Sequence, residues 1–271
     1  MTATNPTDST NWRIVAASAI GSSHRATGSP CQDSNWATSC RTTAGREVLL
    51  AFAADGAGTA PQGGVGAEAA MEATAAFLTE RLDVIPEEGV EALLVECAGR
   101  VSARIREVAA AAGLAARDFA CTWLGVVATD AAATVVQIGD GGVVIDVGGG
   151  LEMPVTPMSG EYANQTYFIT DDDALGRVRT ASVPGRAARV AVFTDGIQRL
   201  AVDLARNSPH EPFFRGFFEV LSQAAAADED RLHAGLLAFL GGAEVEKRTD
   251  DDKTLVLAAL GVPAATCCQP A

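Results

Sequence analysis

The sequence predicts an α+β fold in which mostly antiparallel β-sheets are flanked by helices. Three observations favour this class. Strand-like apolar segments follow one another without the regular helical crossovers that a parallel sheet needs. The segments between residues 119 and 148 are separated only by DAA and DGG, which are tight-turn sequences. Helical patterns are instead concentrated in two blocks, one in each half of the chain.

The N-terminal half is predicted to contain three strands followed by two helices. Residues 1–11 are polar and are expected to form a flexible arm. The predicted strands cover 12–20, 34–40 and 46–55, and the predicted helices cover 66–83 and 86–114. Pro86 and the acidic residues after it are typical of a helix start, so the second helix is expected to begin there. The intervening segments, 21–33 and 56–66, are rich in glycine and are expected to be loops.

The C-terminal half is predicted to form a strand meander, a second helical block and a last strand. The predicted strands cover 119–129, 133–140, 142–148, 188–195 and 253–260, and the predicted helices cover 196–205, 211–225 and 229–241. Residues 149–187 are long for an unstructured loop, so they are expected to form a functional lid or a strand pair. Residues 262–271 are expected to be a flexible tail.

Composition and charge exclude several classes of function. The chain has 271 residues and a net charge of −14, which argues against a nucleic-acid-binding protein. No apolar run is long enough to span a membrane, and the polar N-terminus does not resemble a secretory signal, so we expect a cytoplasmic protein. The cysteines form no C-x-x-C pair, which favours free thiols in a reducing compartment. They are Cys31, Cys40, Cys97, Cys121, Cys267 and Cys268.

Aspartates occur where apolar strands begin or end. Asp33 precedes one predicted strand, Asp55 and Asp195 end two others, and the acids of 250–252 precede the last. Carboxylates that converge at one edge of a sheet repel one another unless a cation lies among them, and Mg²⁺ or Mn²⁺ suits such oxygen ligands. The alternative is a simple tight turn, because Asp-Gly is a common turn dipeptide. We interpret Asp140-Gly141 as such a turn.

The motifs taken together resemble a known family. GSSHRATGSPCQDS, FAADGAG, CTWLGVV, QIGDG, VFTDGI and DDDKTLVLA occur in this order between about residues 12 and 260. This series resembles the metal-dependent protein serine/threonine phosphatases of type 2C, especially a bacterial branch. The resemblance implies one phosphatase domain over residues 12–261, a four-layer α/β/β/α sandwich of two sheets flanked by helices, and two Mn²⁺ or Mg²⁺ ions in a cleft at one end.

The resemblance also implies the metal ligands. Asp55 matches the aspartate that bridges the two metals, and Gly56 matches the glycine whose carbonyl binds one of them. Asp195 matches a ligand of the second metal. Asp251 matches the last ligand, although Asp250 is an alternative because three acids stand in a row.

The implied reaction is direct hydrolysis of phosphoserine or phosphothreonine in proteins. Asp33 matches the aspartate that holds metal-bound water, so Asp33 and Asp55 are the expected catalytic residues. A water between the two metals becomes deprotonated and attacks phosphorus in line. The expected partners are phosphoproteins, among them a cognate kinase or its targets, and the chain is expected to be a monomer. The alternative is a weak or inactive relative that serves as a phosphoprotein-binding or regulatory module.

Two departures from the family pattern concern the substrate. Many relatives carry histidine two residues after the bridging aspartate as a candidate general acid, and here this residue is Ala57. Many also carry arginine five residues before the first aspartate to bind the substrate phosphate, and here this residue is Gly28. Arg25 or His24 could bind the phosphate instead, and the alternative for both is a solvated loop.

A third departure concerns an additional metal found in some relatives. Asp118 lies one place from the first of its two acidic positions, and Arg199 occupies the second. A third metal site at Asp118 is therefore expected to be weak or absent.

Overall fold

Two antiparallel sheets lie face to face in the computed structural model, which describes residues 11–86, 89–157 and 166–261. The strands are β1 (Trp12–Ala19), β2 (Asp33–Arg41), β3 (Glu47–Asp55), β4 (Trp123–Ala128), β5 (Ala132–Ile138), β6 (Gly142–Asp146), β7 (Arg179–Pro184), β8 (Arg189–Phe193), β9 (Val202–Asp203), β10 (Ser208–Pro209) and β11 (Lys253–Leu260). The helices are α1 (Ser22–Thr27), α2 (Gly63–Glu80), α3 (Val90–Ala111), α4 (Ala174–Arg177), α5 (Gln198–Ala201), α6 (Glu211–Gln223), α7 (Glu229–Leu240) and α8 (Ala243–Glu246). Residues 1–10 of the predicted arm and the whole predicted tail lie outside the described residues.

The strand order differs from the chain order in both large sheets. One sheet has the order β1-β11-β8-β6 and the other has the order β2-β3-β4-β5-β7. All the pairings in both sheets are antiparallel. The last strand of the domain therefore pairs with the first, and this pairing joins the two halves of the chain in one sheet.

The position of β3 at the centre of the sandwich explains why its sequence shows little alternation of apolar and polar residues. Leu49 and Ala51 pack into the core between the two sheets, whereas Leu50 and Phe52 pack with residues of α2 and α3. Because both faces of the strand are covered, apolar side chains are favoured at successive positions. The small residues of α2, such as Ala70, let this helix lie close to the sheet.

A further core covers the outer face of the four-stranded sheet. Phe214 and Phe218 of α6 pack there with Phe193 of β8, and the rings of Phe193 and Phe214 are 6.1 Å apart. Leu236 of α7 belongs to the same core. With α2 and α3 on one side and α6 and α7 on the other, the predicted α/β/β/α arrangement is confirmed.

Three predicted boundaries were wrong. The second helix begins at Val90 and not at Pro86, because Gly89 before it has a left-handed backbone (φ 77°) that is incompatible with a helix. The predicted loop after β1 contains the short helix α1, which ends at Thr27 and is followed by Gly28 in a left-handed conformation. The predicted helix 196–205 is shorter, since α5 ends at Ala201 and the chain continues into the small β9–β10 pair.

The segment 149–187 contains a strand at the sheet edge. β7 extends the five-stranded sheet by pairing with β5, and the short helix α4 precedes it. Within the segment 149–187, for which a lid or a strand pair was expected, residues 158–165 lie outside the described residues. Within the described part of the chain, no helix is long and apolar enough to cross a membrane. Cys97 and Cys121 are buried free thiols, whereas Cys31 and Cys40 are partly exposed free thiols.

Candidate active site

Strand ends from both sheets bring the predicted aspartates to one edge of the sandwich. Asp33, the first residue of β2, stands opposite Asp55, the last residue of β3. Asp195 follows the C-terminal end of β8, and Asp251 precedes the N-terminal end of β11. Because β8 and β11 run antiparallel, these two ends lie at the same edge. Asp55, Asp195 and Asp251 line one cleft there.

Threonines hold the aspartates in place. The Thr194 hydroxyl donates a hydrogen bond of 2.7 Å to Asp33 Oδ2 and accepts one of 3.0 Å from the Thr254 backbone N–H. The backbone N–H of Asp55 donates to Thr122 Oγ1 over 2.9 Å. Each of these threonines lies at or beside the end of a strand, so the regular sheet geometry fixes the positions of the acids.

The aspartates of this edge are crowded and poorly solvated. Burial raises the pKa of Asp33 to about 7, and the hydrogen bonds from Thr194 and Thr254 only partly offset this effect. Burial, together with Asp140 and Asp251, raises the pKa of Asp195 to about 6. Burial also raises the pKa of Asp55, and so do the neighbouring charges of Asp33 and Asp195. Simultaneous ionisation of Asp33, Asp55 and Asp195 therefore requires compensating positive charge.

The donor atoms of these aspartates suit a hard divalent cation. Asp33 Oδ1 and Asp195 Oδ1 are buried and have no hydrogen-bond partner among the described residues, although each belongs to a carboxylate that can accept several. Among the described residues, no group of three or more acidic, histidine or cysteine side chains is arranged to hold an ion as it stands. Instead the carboxyl groups of Asp55 and Asp195 contact each other. The oxygen donors fit Mn²⁺ or Mg²⁺ in type.

The glycine after each strand-end aspartate has a packing reason. A Cβ atom on Gly56 would lie 2.3 Å from the backbone carbon of Gly63, at the start of α2. A Cβ atom on Gly196 would lie 1.8 Å from the backbone oxygen of Asp252. Both distances exclude any side chain, so the absence of a Cβ atom lets the acid-bearing turns approach their neighbours closely.

Two clefts open beside the aspartates. The first, here called the aspartate cleft, has a volume of about 380 Å³. Its walls include Asp55, Ala57, Thr122, Asp140, Thr166, Asp195 and Asp251. The second, here called the arginine cleft, has a volume of about 450 Å³. Its walls include Asp195, Arg199, Glu246, Lys247, Arg248, Asp250 and Asp251. Asp195 and Asp251 belong to both clefts and therefore separate them.

Two acids at this edge were not predicted as site residues. Asp140 occupies the predicted turn between β5 and β6, but it also lines the aspartate cleft and accepts a 2.6 Å hydrogen bond from Thr166 Oγ1. Asp252 is buried and accepts hydrogen bonds from the backbone N–H groups of Gly21 and Gln32. The run of three acids before β11 was the available signal for Asp252, whereas Asp140 lay hidden in an ordinary turn sequence.

The other predicted residues are engaged by protein groups. His24 Nδ1 lies 2.9 Å from Asp252 Oδ2. Arg25 donates to Glu246 Oε1 over 2.8 Å and to the backbone oxygen of Ile20. Asp118 accepts a hydrogen bond from the backbone N–H of Ala115 and so caps its own helical turn.

Comparison with known proteins relates the chain to protein phosphatases. The profile of the family described as Protein phosphatase 2C matches residues 20–240. Serine/threonine-protein phosphatase 3 of Escherichia coli (strain K12) is 45% identical over 249 residues, which cover 92% of this chain and 98% of that protein.

Solved structures with a similar fold are also phosphatases. Serine/threonine phosphatase Stp1 from Staphylococcus aureus has a TM-score of 0.57 at 14% identity, covering 92% of this chain and 95% of Stp1. The catalytic domain of the serine/threonine protein phosphatase PstP, in complex with 2 manganese ions, has a TM-score of 0.55 at 18% identity. This second match covers 93% of this chain and 99% of the PstP domain. At these identities the similarity establishes the fold.

Proposed function

The chain belongs to the protein phosphatase 2C family, and we propose that it hydrolyses phosphoserine and phosphothreonine in proteins with two bound Mn²⁺ or Mg²⁺ ions. Family membership makes it a protein serine/threonine phosphatase, so the proposal concerns the metals, their ligands and the reaction they assist. The observation that carries the proposal is the meeting of buried aspartates from distant segments. Two of these aspartates leave a carboxylate oxygen without a hydrogen-bond partner in the part of the chain that the structure describes.

We assign the ligands from the positions of these side chains. Asp55 would be the ligand shared by the two ions, because its carboxyl group lies close enough to both Asp33 and Asp195 for their charges to raise its pKa. Asp195 and Asp251 complete the carboxylate set from the opposite sheet. The backbone carbonyl of Gly56 is a further ligand, since no side chain shields it. The carboxylates would have to turn from one another toward the ions.

The residues of the chain position the reacting groups. When bound, the two ions supply a water that is deprotonated near neutral pH and positive charge that offsets the phosphoryl oxygens. Asp33 Oδ2 is occupied by the Thr194 hydroxyl, so Asp33 Oδ1 is the oxygen that can accept a hydrogen bond from the attacking water. Ala57 lines the aspartate cleft where relatives carry histidine, so this position supplies no proton to the leaving oxygen.

The proposed substrates are phosphorylated proteins, among them a cognate serine/threonine kinase or the targets of that kinase. The acidic composition, with a net charge of −14, supports substrates other than nucleic acids. We further propose that the chain acts in the cytoplasm as a monomer.

The proposal is tested by hydrolysis of p-nitrophenyl phosphate with and without Mn²⁺. We expect activity that is abolished by EDTA and restored by Mn²⁺. Asp55→Asn is expected to lower kcat/KM by at least about 100-fold, because even groups behind metal ligands are typically worth 10–100-fold. Asp173→Asn is the control, since Asp173 is on the surface and pairs with Arg177. Activity that survives EDTA, or that Asp55→Asn leaves intact, would contradict the proposal.

A further inference from the structure

The arginine cleft contains three cationic side chains, together with acidic ones, directly beside the proposed metal ligands. Arg199, Lys247 and Arg248 belong to its walls, and Asp195 and Asp251 form its border with the aspartate cleft. This concentration of cations is notable in a chain with a net charge of −14. A substrate residue next to the scissile phosphoserine would therefore meet these cations when the phosphoryl group occupies the aspartate cleft.

Two of the three cations have no side-chain partner among the residues that the structure describes. Lys247 Nζ lies 2.5 Å from Glu244 Oε1, and Glu246 on the cleft wall is bound by Arg25. In contrast, neither Arg199 nor Arg248 makes a side-chain hydrogen bond or ion pair with any residue in the described ranges. Both side chains are exposed. Their guanidinium groups are therefore free to bind an external anion with paired N–H donors.

The backbone segments that carry these arginines are held against each other. Arg199 lies on α5, directly after the turn that contains Gly196, and the close approach of Gly196 to the Asp252 backbone joins this turn to the 250–252 loop. Arg248 lies just before that loop, and its backbone N–H donates to the Val245 carbonyl. The backbone positions from which the two arginines extend are thus fixed relative to Asp195 and Asp251, so both side chains can reach the same part of the cleft.

We propose that Arg199 and Arg248 bind a negatively charged group of the substrate, either a carboxylate or a second phosphate, that neighbours the phosphoserine or phosphothreonine to be hydrolysed. This inference rests on the proposed function, because the site lies next to the reacting phosphate only if the aspartate cleft is the active site. Asp250 also lines the cleft and is exposed, and its negative charge opposes the binding of an anion. The proposed preference therefore requires that the attraction by the two arginines exceeds the repulsion by Asp250. The chain then prefers acidic or multiply phosphorylated segments over neutral ones.

The test compares phosphoserine peptides that are identical except for their flanking residues, which are glutamate, a second phosphoserine or alanine. We expect a lower KM for both anionic peptides than for the alanine peptide. The preference is measured as the KM of the alanine peptide divided by the KM of the anionic peptide. Arg199→Ala and Arg248→Ala should each reduce this ratio by about two- to fivefold, in line with the energies of exposed ion pairs. The preference should also weaken as salt rises from low to high concentration. Arg215→Ala, on the outer face of α6, is the matched control and should keep the ratio.

Several results would overturn the inference. The first is equal KM values for anionic and neutral peptides in the wild-type protein. The second is a preference for anionic peptides that both arginine variants retain. The third is an equal loss of kcat/KM on all peptides in the arginine variants. The last result would assign the arginines to the phosphoryl group or to folding. Fluorescence anisotropy with labelled peptides that carry a non-hydrolysable phosphonate analogue in place of each phosphoserine, mixed with the wild-type protein in Mn²⁺, reads the preference without turnover. Absence of hydrolysis would thus count against the proposed function alone, whereas absence of preferential binding would count against this inference.

Discussion

Gly196 shows how a missing side chain sets the position of the acids. Its Cα lies so close to the 250–252 loop that an added Cβ would overlap the Asp252 carbonyl oxygen. The same contact holds Asp195 and Asp251 on neighbouring turns. The Asp-Gly pair at this strand end is therefore explained by packing as well as by turn geometry.

Gly196→Ala is expected to lower the free energy of unfolding by about 1–3 kcal/mol, because the overlap forces the two turns apart. Urea unfolding of the metal-free protein measures this change. Gly216→Ala is the matched control, since a Cβ on Gly216 of α6 meets nothing within 4 Å. This control should raise stability by about 0.5–1 kcal/mol, as alanine replaces glycine within a helix. Equal effects of the two substitutions would show that the close contact is unimportant.

The sequence predicts single site residues where a strand end carries one acid. Asp33, Asp55 and Asp195 could be selected in this way, and the structure brings them together with Asp251. Asp140 could not be selected, because its turn sequence is ordinary and its place in the cleft depends on the β5–β6 turn reaching the same edge. The partners of His24 and Arg25 also could not be predicted, since both are more than 200 residues away in sequence.

At the scale of elements, Asp146 joins β6 to β8 and to the loop after β6. Asp146 stands opposite Arg189 in the strand pair, and the two side chains form an ion pair. The backbone N–H groups of Gly148 and Gly150 also donate to Asp146 Oδ1. Burial raises the pKa of Asp146, but these hydrogen bonds and Arg189 outweigh that effect and lower the pKa below its ordinary value.

Asp146→Ala is expected to cost about 2 kcal/mol of unfolding free energy at pH 7, as hydrogen bonds to a charged group are lost. A lowered pKa in the folded state means that this stabilisation is present above the pKa of the unfolded chain, near 4, and is lost as the pH falls below it. Urea unfolding at pH 7 and at acid pH should therefore show a difference between wild type and variant that shrinks below pH 4. Asp173→Ala, at an exposed ion pair with Arg177, should change stability little at either pH. A difference that is independent of pH would contradict this account.

The strands were easier to predict than the helices around the site. Every predicted strand is present, because continuous apolar runs such as that of β3 suit a strand buried on both faces. Helix α1 was predicted as a loop, since its position depends on a distant contact. The backbone N–H and the hydroxyl group of Ser23 both donate to the Asp250 carbonyl, and no local pattern indicates this contact.

At the scale of the whole molecule, the meeting of both sheets concentrates negative charge at one edge. The aspartates there lie at the ends of elements whose cores are well packed, so their crowding is maintained by the rest of the fold. Divalent cations that bind only the folded chain should relieve this crowding and raise stability.

Addition of Mn²⁺ at about one hundred times its dissociation constant is expected to raise the melting temperature by about 5–10 °C. Asp55→Asn should remove this rise. In EDTA the variant should melt at the same temperature as the wild type or above it, because one crowded carboxylate is gone. Thermal unfolding with both proteins in both conditions measures these changes, and Asp173→Asn should behave as the wild type. A similar Mn²⁺ shift in the Asp55→Asn protein would locate the binding elsewhere.

The most direct test of the central claim is anomalous diffraction at the manganese edge from a crystal of the protein soaked in Mn²⁺. We predict two anomalous peaks that share the carboxylate of Asp55, with Asp195, Asp251 and the Gly56 carbonyl among their ligands. Peaks confined to other surfaces, or an absence of peaks at this edge of the sandwich, would contradict the account.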